Sequence, residues 1–324
     1  MKLERHGSLR ADLSLVGITA VWGFTFPAMQ LALRDATPMA FMASRFAIAA
    51  IALALIFRGR ALRPGSGAIG SGILLGLCLT AGSALQISGL LYTTAAKSAF
   101  ITALYVVLVP LFSLALARTR PRITSLAAVL IAGAGLAEIT AIRLHGLNPG
   151  DMLTVGCAVA FALHIVVAEI AAPRHDAIAL GFWQTLTTAA ASAILMVAIE
   201  HRPGLPMTPW TITALLVTSL PATALAFSVQ MWAQKETSGT HTALIFCAEP
   251  VFAAAFARLI QQERLGMRGF VGGALILGAI LVSELGTRRR IGLAAGGRPA
   301  GSPPETAPPL RGRKSPPSGR LHRS

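Results

Sequence analysis

Three ionisable residues lie well inside long apolar stretches of this chain: Arg45, His164 and Glu249. A charged side chain in such surroundings is expensive unless it is paired, hydrogen-bonded or turned toward a protected cavity. Glu249 is the sharpest of the three. A carboxyl at mid-segment suits a proton-carrying or cation-binding group; the plainer alternative is a structural carboxyl bonded within the fold or paired with a basic group. The planar guanidinium of Arg45 can clamp a carboxylate through two parallel hydrogen bonds. An Arg near a helix end also snorkels or pairs internally. His164 can relay protons, although a neutral, hydrogen-bonded imidazole is the simpler expectation.

Polar residues recur around them at helical spacing. Ser98, Thr102, Tyr105 and Val109 fall on one stripe of a helix, and Ser238, Thr242, Ile245 and Glu249 repeat the pattern. Trp22 and Thr25 are spaced like Phe161 and His164, while Ser83 and Gln86 fall on the register 83, 86, 90 and Thr223 and Gln230 on its repeat mate. The substrate-facing set expected from these registers is Trp22, Thr25, Arg45, Gln86, Thr102, Tyr105, His164, Gln184, Gln230, Thr242 and Glu249. Packing between helices accounts for any single hydroxyl equally well. Pro110 and Pro250 each remove one backbone hydrogen bond, freeing the carbonyls of Val106 and Phe246, and are expected as hinges or as static kinks.

The elements that must carry these residues are long and apolar. Of 324 residues, 54% are hydrophobic and 13% charged, about half the charged share of a water-soluble domain. Ten apolar runs are each long enough to cross hydrocarbon as a helix, at about 12–33, 38–57, 68–91, 95–117, 123–141, 150–171, 178–199, 209–233, 238–261 and 268–286. Unbroken runs of this kind exclude a barrel, whose strands alternate. The fold class expected is an all-α membrane protein.

The chain also repeats itself. A shift of about 140 residues brings Asp12, Gly17 and Trp22 onto Asp151, Gly156 and Phe161, and Arg45 onto Gln184. It superposes Ser98, Thr102, Pro110, Phe112 and Arg118 on Ser238, Thr242, Pro250, Phe252 and Arg258. A duplicated hydrophobic half is the usual trace of a transporter with a site between its halves. The expected organisation is a cytoplasmic N-terminus over 1–11, five-helix repeats over 12–143 and 149–286, and a disordered basic tail over 287–324. An odd five-helix unit makes the two repeats inverted.

Charge placement orients the chain. With both termini inside, Lys2, Arg5, Arg10, Arg58, Arg60, Arg63, Arg118, Arg120, Arg122, Arg174, Lys235 and the basic tail face the cytoplasm. Outside fall Arg34, Lys97, Arg143, Arg202 and the group Arg258, Arg264 and Arg268, in accord with the positive-inside rule. The formal charge of +15 therefore reflects topology and attraction to anionic lipid, and no motif supports a nucleic-acid partner. Cys78, Cys157 and Cys247 have no metal-ligand spacing, and their odd count argues against a disulfide framework. The first apolar run is too long for a signal-peptide core and is expected to be retained.

Four stretches give the chain a family likeness: Ala20-Val21-Trp22-Gly23-Phe24-Thr25-Phe26-Pro27 followed by Thr37-Pro38; Ser44-Arg45-Phe46; Lys97 to Phe112, ending Val109-Pro110-Leu111-Phe112; and Glu249-Pro250-Val251-Phe252 followed by Gln262-Glu263-Arg264-Leu265. In these the chain resembles the EamA family of the drug/metabolite transporter superfamily over about residues 12–286. The resemblance implies ten transmembrane helices as two inverted five-helix repeats, a central cavity and efflux of small metabolites or drugs. It does not choose a substrate. The second copy departs from the pattern, with Phe161 in place of Trp22 and no match for Pro27.

No G-x-x-x-x-G-K-[ST] loop, H-E-x-x-H, H-x-x-x-x-D or G-x-G-D motif occurs, Asn148-Pro149-Gly150-Asp151 being the nearest approach to the last. Neither an enzyme nor a cofactor is expected. The leading expectation is a secondary transporter in the bacterial inner membrane. It would export a small organic solute, an amino acid or related metabolite, by alternating access, with protons as candidate coupling ion. Efflux of lipophilic cations or drugs is the second reading, and a non-transporting scaffold or receptor the third.

Overall fold

The apolar runs form helices, and their boundaries follow local chemistry. The computed structural model describes residues 2–3, 8–140, 148–262 and 267–296. Met1–Thr287 forms one compact unit and Arg288–Ser324 a second; the architecture below is that of the first. Expectations for Arg5, Arg143, Glu263 to Leu265 and residues 297–324 lie outside the described residues.

Helix α1 (Leu9–Ala32) starts behind Ser8, whose side chain accepts from the amide of Ala11 at 3.3 Å. Helix α2 (Pro38–Ile56) starts at Thr37-Pro38, where proline loses nothing because a first-turn amide has no intrahelical partner. Glu200 accepts from the amides of Met39 at 2.6 Å and Ala40 at 3.2 Å and from the Thr37 hydroxyl at 2.6 Å. A carboxylate there also suits the positive helix end. A short α3 (Arg58–Leu62) precedes α4 (Ala68–Gly89).

The fourth apolar segment breaks in two, α5 (Ala95–Thr102) and α6 (Tyr105–Phe112). A π turn, Ser113–Ala117, follows and stops at Arg118 in the left-handed region. Helix α7 (Ile123–Thr140) is followed by α8 (Pro149–Ala171), α9 (Ala177–Ile199) and α10 (Pro209–Ser219). A second π turn, Leu220–Leu225, joins α10 to α11 (Ala226–Ala233). The ninth segment is again broken, into α12 (Gly239–Phe246) and α13 (Glu249–Gln261), before α14 (Met267–Gly296). Asn148-Pro149-Gly150-Asp151 is the start of α8: Asn148 Oδ1 accepts from the Asp151 amide at 2.9 Å, and Asp151 Oδ2 from the Asn148 amide at 3.0 Å. This capping box is structural.

Among the described residues, eight helical stretches are long and apolar enough to cross a membrane, rather than the ten expected. Among the described residues the apolar parts of α7 and α14, Ile123–Gly135 and Phe270–Ser283, are shorter. Glu138 lies 3.7 Å from Arg268 of α14. Helix α14 spans Met267–Gly296 and so passes the boundary expected at residue 287.

The two halves interlock. Helix α4 packs between α8 and α9, α9 also packs on α2, and α1 packs on α13, α10 and α11. Hydrogen bonds tie the connections into two sets. At one end Arg60 bonds Asp176, Ser8 bonds Glu236, His241 lies 3.1 Å from Asp12, and Lys2–Leu3 (β1) pairs in parallel with Thr119–Arg120 (β2). At the other, Thr37 meets Gly204, Gln30 bonds Thr93, Asn148 bonds Tyr92, and Asp151 takes Lys97 at 2.6 Å and Thr93 at 3.0 Å.

Candidate functional site

The broken helices place their first residues against each other. Tyr105 opens α6, Glu249 opens α13, and the Tyr105 hydroxyl donates to Glu249 Oε2 at 3.3 Å. The early amides of both helices are satisfied by the connecting turns, Val106 by the Ala103 carbonyl at 3.0 Å and Val251 by the Ala248 carbonyl at 3.0 Å, so what the two starts bring to the site is the side chains themselves. The carboxyl of Glu249 thus stands at a helix N-terminus and not, as expected, midway along a continuous helix.

A cavity with an empty volume of about 540 Å³ opens beside them. Trp22, Thr25, Arg45, Gln86, Tyr105, His164, Gln230 and Glu249, all expected from the sequence, line it. Arg45 is 8% exposed; its Nε donates to Thr223 Oγ1 at 2.9 Å and Nη1 lies 3.3 Å from Met29 Sδ. It also stands over the Phe46 ring at 5.2 Å. Among the described residues, neither Arg45 nor Glu249 forms an ion pair, with the other or with anything else. Gln230 Nε2 is engaged by Gln234 Oε1 at 2.9 Å, whereas Gln230 Oε1 is buried without a hydrogen-bond partner.

The second π turn builds one wall. A π turn displaces the backbone register and leaves carbonyls free of the regular ladder. The Ala222 carbonyl accepts the Trp22 indole N–H at 2.8 Å, while Thr223, bonded back to the Thr218 carbonyl at 2.7 Å, holds Arg45. The Trp22 ring then lies 5.4 Å from Phe227 and 4.9 Å, edge-on, from Phe246. His164 sits 2.8 Å from Gln184 Oε1, in keeping with the hydrogen-bonded imidazole, and 5.7 Å from Phe227.

Two glycines permit these approaches. A Cβ on Gly23 would fall 2.6 Å from Phe252 Cβ and 2.8 Å from the Ala253 nitrogen, so α1 and α13 touch backbone to backbone beside Trp22. A Cβ on Gly82 would fall 2.6 Å from the ring of Phe161, which lines the cavity.

Three expected residues lie behind the wall instead. Thr102 accepts from Gln86 at 3.4 Å, Gln184 supports His164, and Thr242 bonds back to the Ser238 carbonyl at 2.9 Å. Pro110 and Pro250, expected as hinges or as static kinks, do not coincide with the helix breaks. The interruptions fall at Ala103–Leu104 and Cys247–Ala248. Pro110 lies within α6, and Pro250 sits in the first turn of α13, where its missing N–H is tolerated. Glu169 is buried and accepts from Ser113 at 2.8 Å.

Ser83, Phe161, Ile165, Phe227 and Phe246 complete the lining. The sequence signal for Ser83 and Phe161 was present in the repeat register. For Phe227 and Phe246 it was not, since an aromatic in an apolar run carries no mark of what it faces. Pro221 inside the eighth run was the available hint of the π turn.

The model of the EamA-like transporter family matches residues 9–141 and again 148–285. The chain belongs to this family. An uncharacterized transporter of Archaeoglobus fulgidus is 31% identical over 86% of this chain and 86% of its own length. The uncharacterized transporter YoaV of Bacillus subtilis is 22% identical over 87% of this chain and 99% of its own. A crystal structure of another protein, 23% identical, shares the fold with a TM-score of 0.68 over 87% of this chain and 99% of that one. This EamA-like protein is thus a multi-pass membrane transporter, and its family points away from an enzyme.

Proposed function

We propose that this EamA-like protein is a secondary transporter that exports a zwitterionic small solute, an amino acid or close relative with an apolar side chain. One observation carries the reading: Arg45 and Glu249 face a single aromatic-walled cavity without an ion pair between them. A buried guanidinium without a counter-charge is costly, and a bound carboxylate would relieve it. Arg45 clamps that carboxylate, and Glu249 with the unpartnered Gln230 Oε1 receives the ammonium. Trp22, Phe227 and Phe246 cover the side chain, and Glu249 exchanges a proton for the solute.

The same reading takes the chain as ten crossings in two inverted five-helix repeats, 12–143 and 149–286, with α7 and α14 completing the count. The alternation of the connections between two hydrogen-bonded ends supports it, as does the clustering of Arg58, Arg60, Arg118, Arg120 and Arg174 at one of them. That end is the cytoplasmic one, of a bacterial inner membrane.

The aromatic faces beside Glu249 favour one second reading, efflux of lipophilic cations. Proteoliposomes loaded with radiolabelled neutral amino acids, their decarboxylated amines or cationic dyes separate the two. Saturable amino-acid flux abolished by Arg45→Gln supports the first; flux of amines and dyes indifferent to Arg45→Gln supports the second. No saturable flux of any class would leave a non-transporting scaffold.

A further inference from the structure

A second concavity lies on the outside of the fold. Between the end of α2, the start of α9 and the eighth segment runs a groove with an empty volume of about 1090 Å³. Its lining is almost wholly apolar: Leu53 and Ala224 are buried, whereas Ile56, Leu225 and Trp232 are exposed beside them. The hydroxyl of Ser228, one of the few polar groups there, is turned away onto the Ala224 carbonyl at 2.7 Å. All these segments belong to helices long and apolar enough to cross a membrane, which sets the groove against hydrocarbon.

One end is cationic. Arg60 lines the groove and reaches Asp176 Oδ2 through Nε at 3.2 Å and Nη2 at 2.6 Å. The other oxygen of Asp176 is taken by the amides of Ile178 at 2.9 Å and Ala179 at 3.1 Å. Arg58 and Arg63 flank Arg60 and are exposed, as is Arg174 shortly before Asp176. Arg60 alone of these meets the carboxylate, and its exposed neighbours along the chain leave this end with more cations than the one engaged carboxylate balances. Trp232, near the end of α11, brings an indole of the kind that settles at headgroup level.

We propose that this groove is a binding site for an anionic phospholipid. An acyl chain lies along α2 and α11, and the phosphate is held by Arg58, Arg60 and Arg63. Charge complementarity selects the lipid: a zwitterionic headgroup would bring its own cation to a rim already rich in them, and an anionic one does not. The occupant would rest on Leu220, Ala224 and Leu225 of the π turn, whose neighbours Ala222 and Thr223 hold Trp22 and Arg45. The bound lipid thus lies one turn of backbone away from the central cavity.

The test is native mass spectrometry of the full chain released from nanodiscs of phosphatidylglycerol or phosphatidylcholine with identical acyl chains. Preferential retention of phosphatidylglycerol is expected, weakened about fivefold for each charge removed by Arg58→Gln and Arg63→Gln. Ala52→Phe, which fills the groove without touching the rim, should abolish retention of either lipid. Asp176→Asn should retain phosphatidylglycerol at least as well as the unaltered chain. Equal retention of both lipids, or no effect of the Arg and Ala52 substitutions in proteins of unchanged melting temperature, overturns the proposal. So does a dimer mass lost with Ala52→Phe, which would make a second copy the occupant.

Discussion

Thr223→Val replaces a hydroxyl with a methyl of nearly the same shape, so packing of the π turn should survive. What disappears is the 2.9 Å bond from Arg45 Nε, together with the 2.7 Å bond back to the Thr218 carbonyl. Hydrogen bonds to a charged group are worth about 1.5–3 kcal/mol. Arg45 keeps its contacts with Met29 and the Phe46 ring but loses the bond that fixes its orientation in the cavity. If Arg45 clamps a carboxylate, that lost orientation should weaken affinity by roughly ten- to a hundredfold. Flux in proteoliposomes and thermal shift on ligand addition both report it. Matched pairs of amino acids and their decarboxylated amines make the experiment specific, because an amine does not use the guanidinium. An equal loss for both members of each pair would sink the reasoning, since the effect would then be on the fold. No loss for either would show that the guanidinium takes no part in recognition.

Glu249→Gln should preserve the Tyr105 contact sterically while removing the exchangeable proton, and flux should lose its response to an imposed pH gradient; an unchanged response would remove Glu249 from coupling. Gly23→Ala should drive α1 from α13, at a cost of about 1–3 kcal/mol, seen as a lowered melting temperature in detergent; an unchanged one would contradict the close approach. Asp176 offers a pH test. Partial burial pushes its carboxyl up, but the hydrogen bonds from Arg60 and from the amides of Ala179 and Ile178 hold it below its ordinary value near 3.8. The contribution of that pairing is present above the ordinary value and is lost only as pH falls through the lowered one. Unaltered protein and Asp176→Asn should therefore differ in melting temperature by a constant amount from pH 8 to pH 5. A difference that shrinks across that interval counts against the pairing.

Much of the central cavity was legible because burying a charge in lipid is so costly that Arg45, His164 and Glu249 had few places to go. The helical registers of Trp22 with Thr25 and of Ser83 with Gln86 followed from the same constraint. Thr102, Gln184 and Thr242 lie outside the cavity lining because a hydroxyl or amide also bonds a neighbouring carbonyl or side chain, and spacing cannot separate the two uses. The breaks before Tyr105 and Glu249 escaped notice because they lie at Ala103–Leu104 and Cys247–Ala248, ordinary helix formers whose departure from the ladder is decided by tertiary packing. Proline drew attention to itself at positions 110 and 250, but Pro221, with its π turn, did more to shape the wall.

Asp12 and Asp151 are counterparts in the internal repeat, and each reaches across to the opposite half: Asp12 toward His241, Asp151 to Lys97 and Thr93. They stand at opposite ends of the molecule, and both latches are fastened in the conformation described. Under the proposed alternating access, a solute leaving through one doorway would unfasten that latch alone, since opening both together would make a leak. The internal repeat would then supply a matched pair of bolts from one carboxylate position, and their relative strengths would bias which side the empty carrier faces.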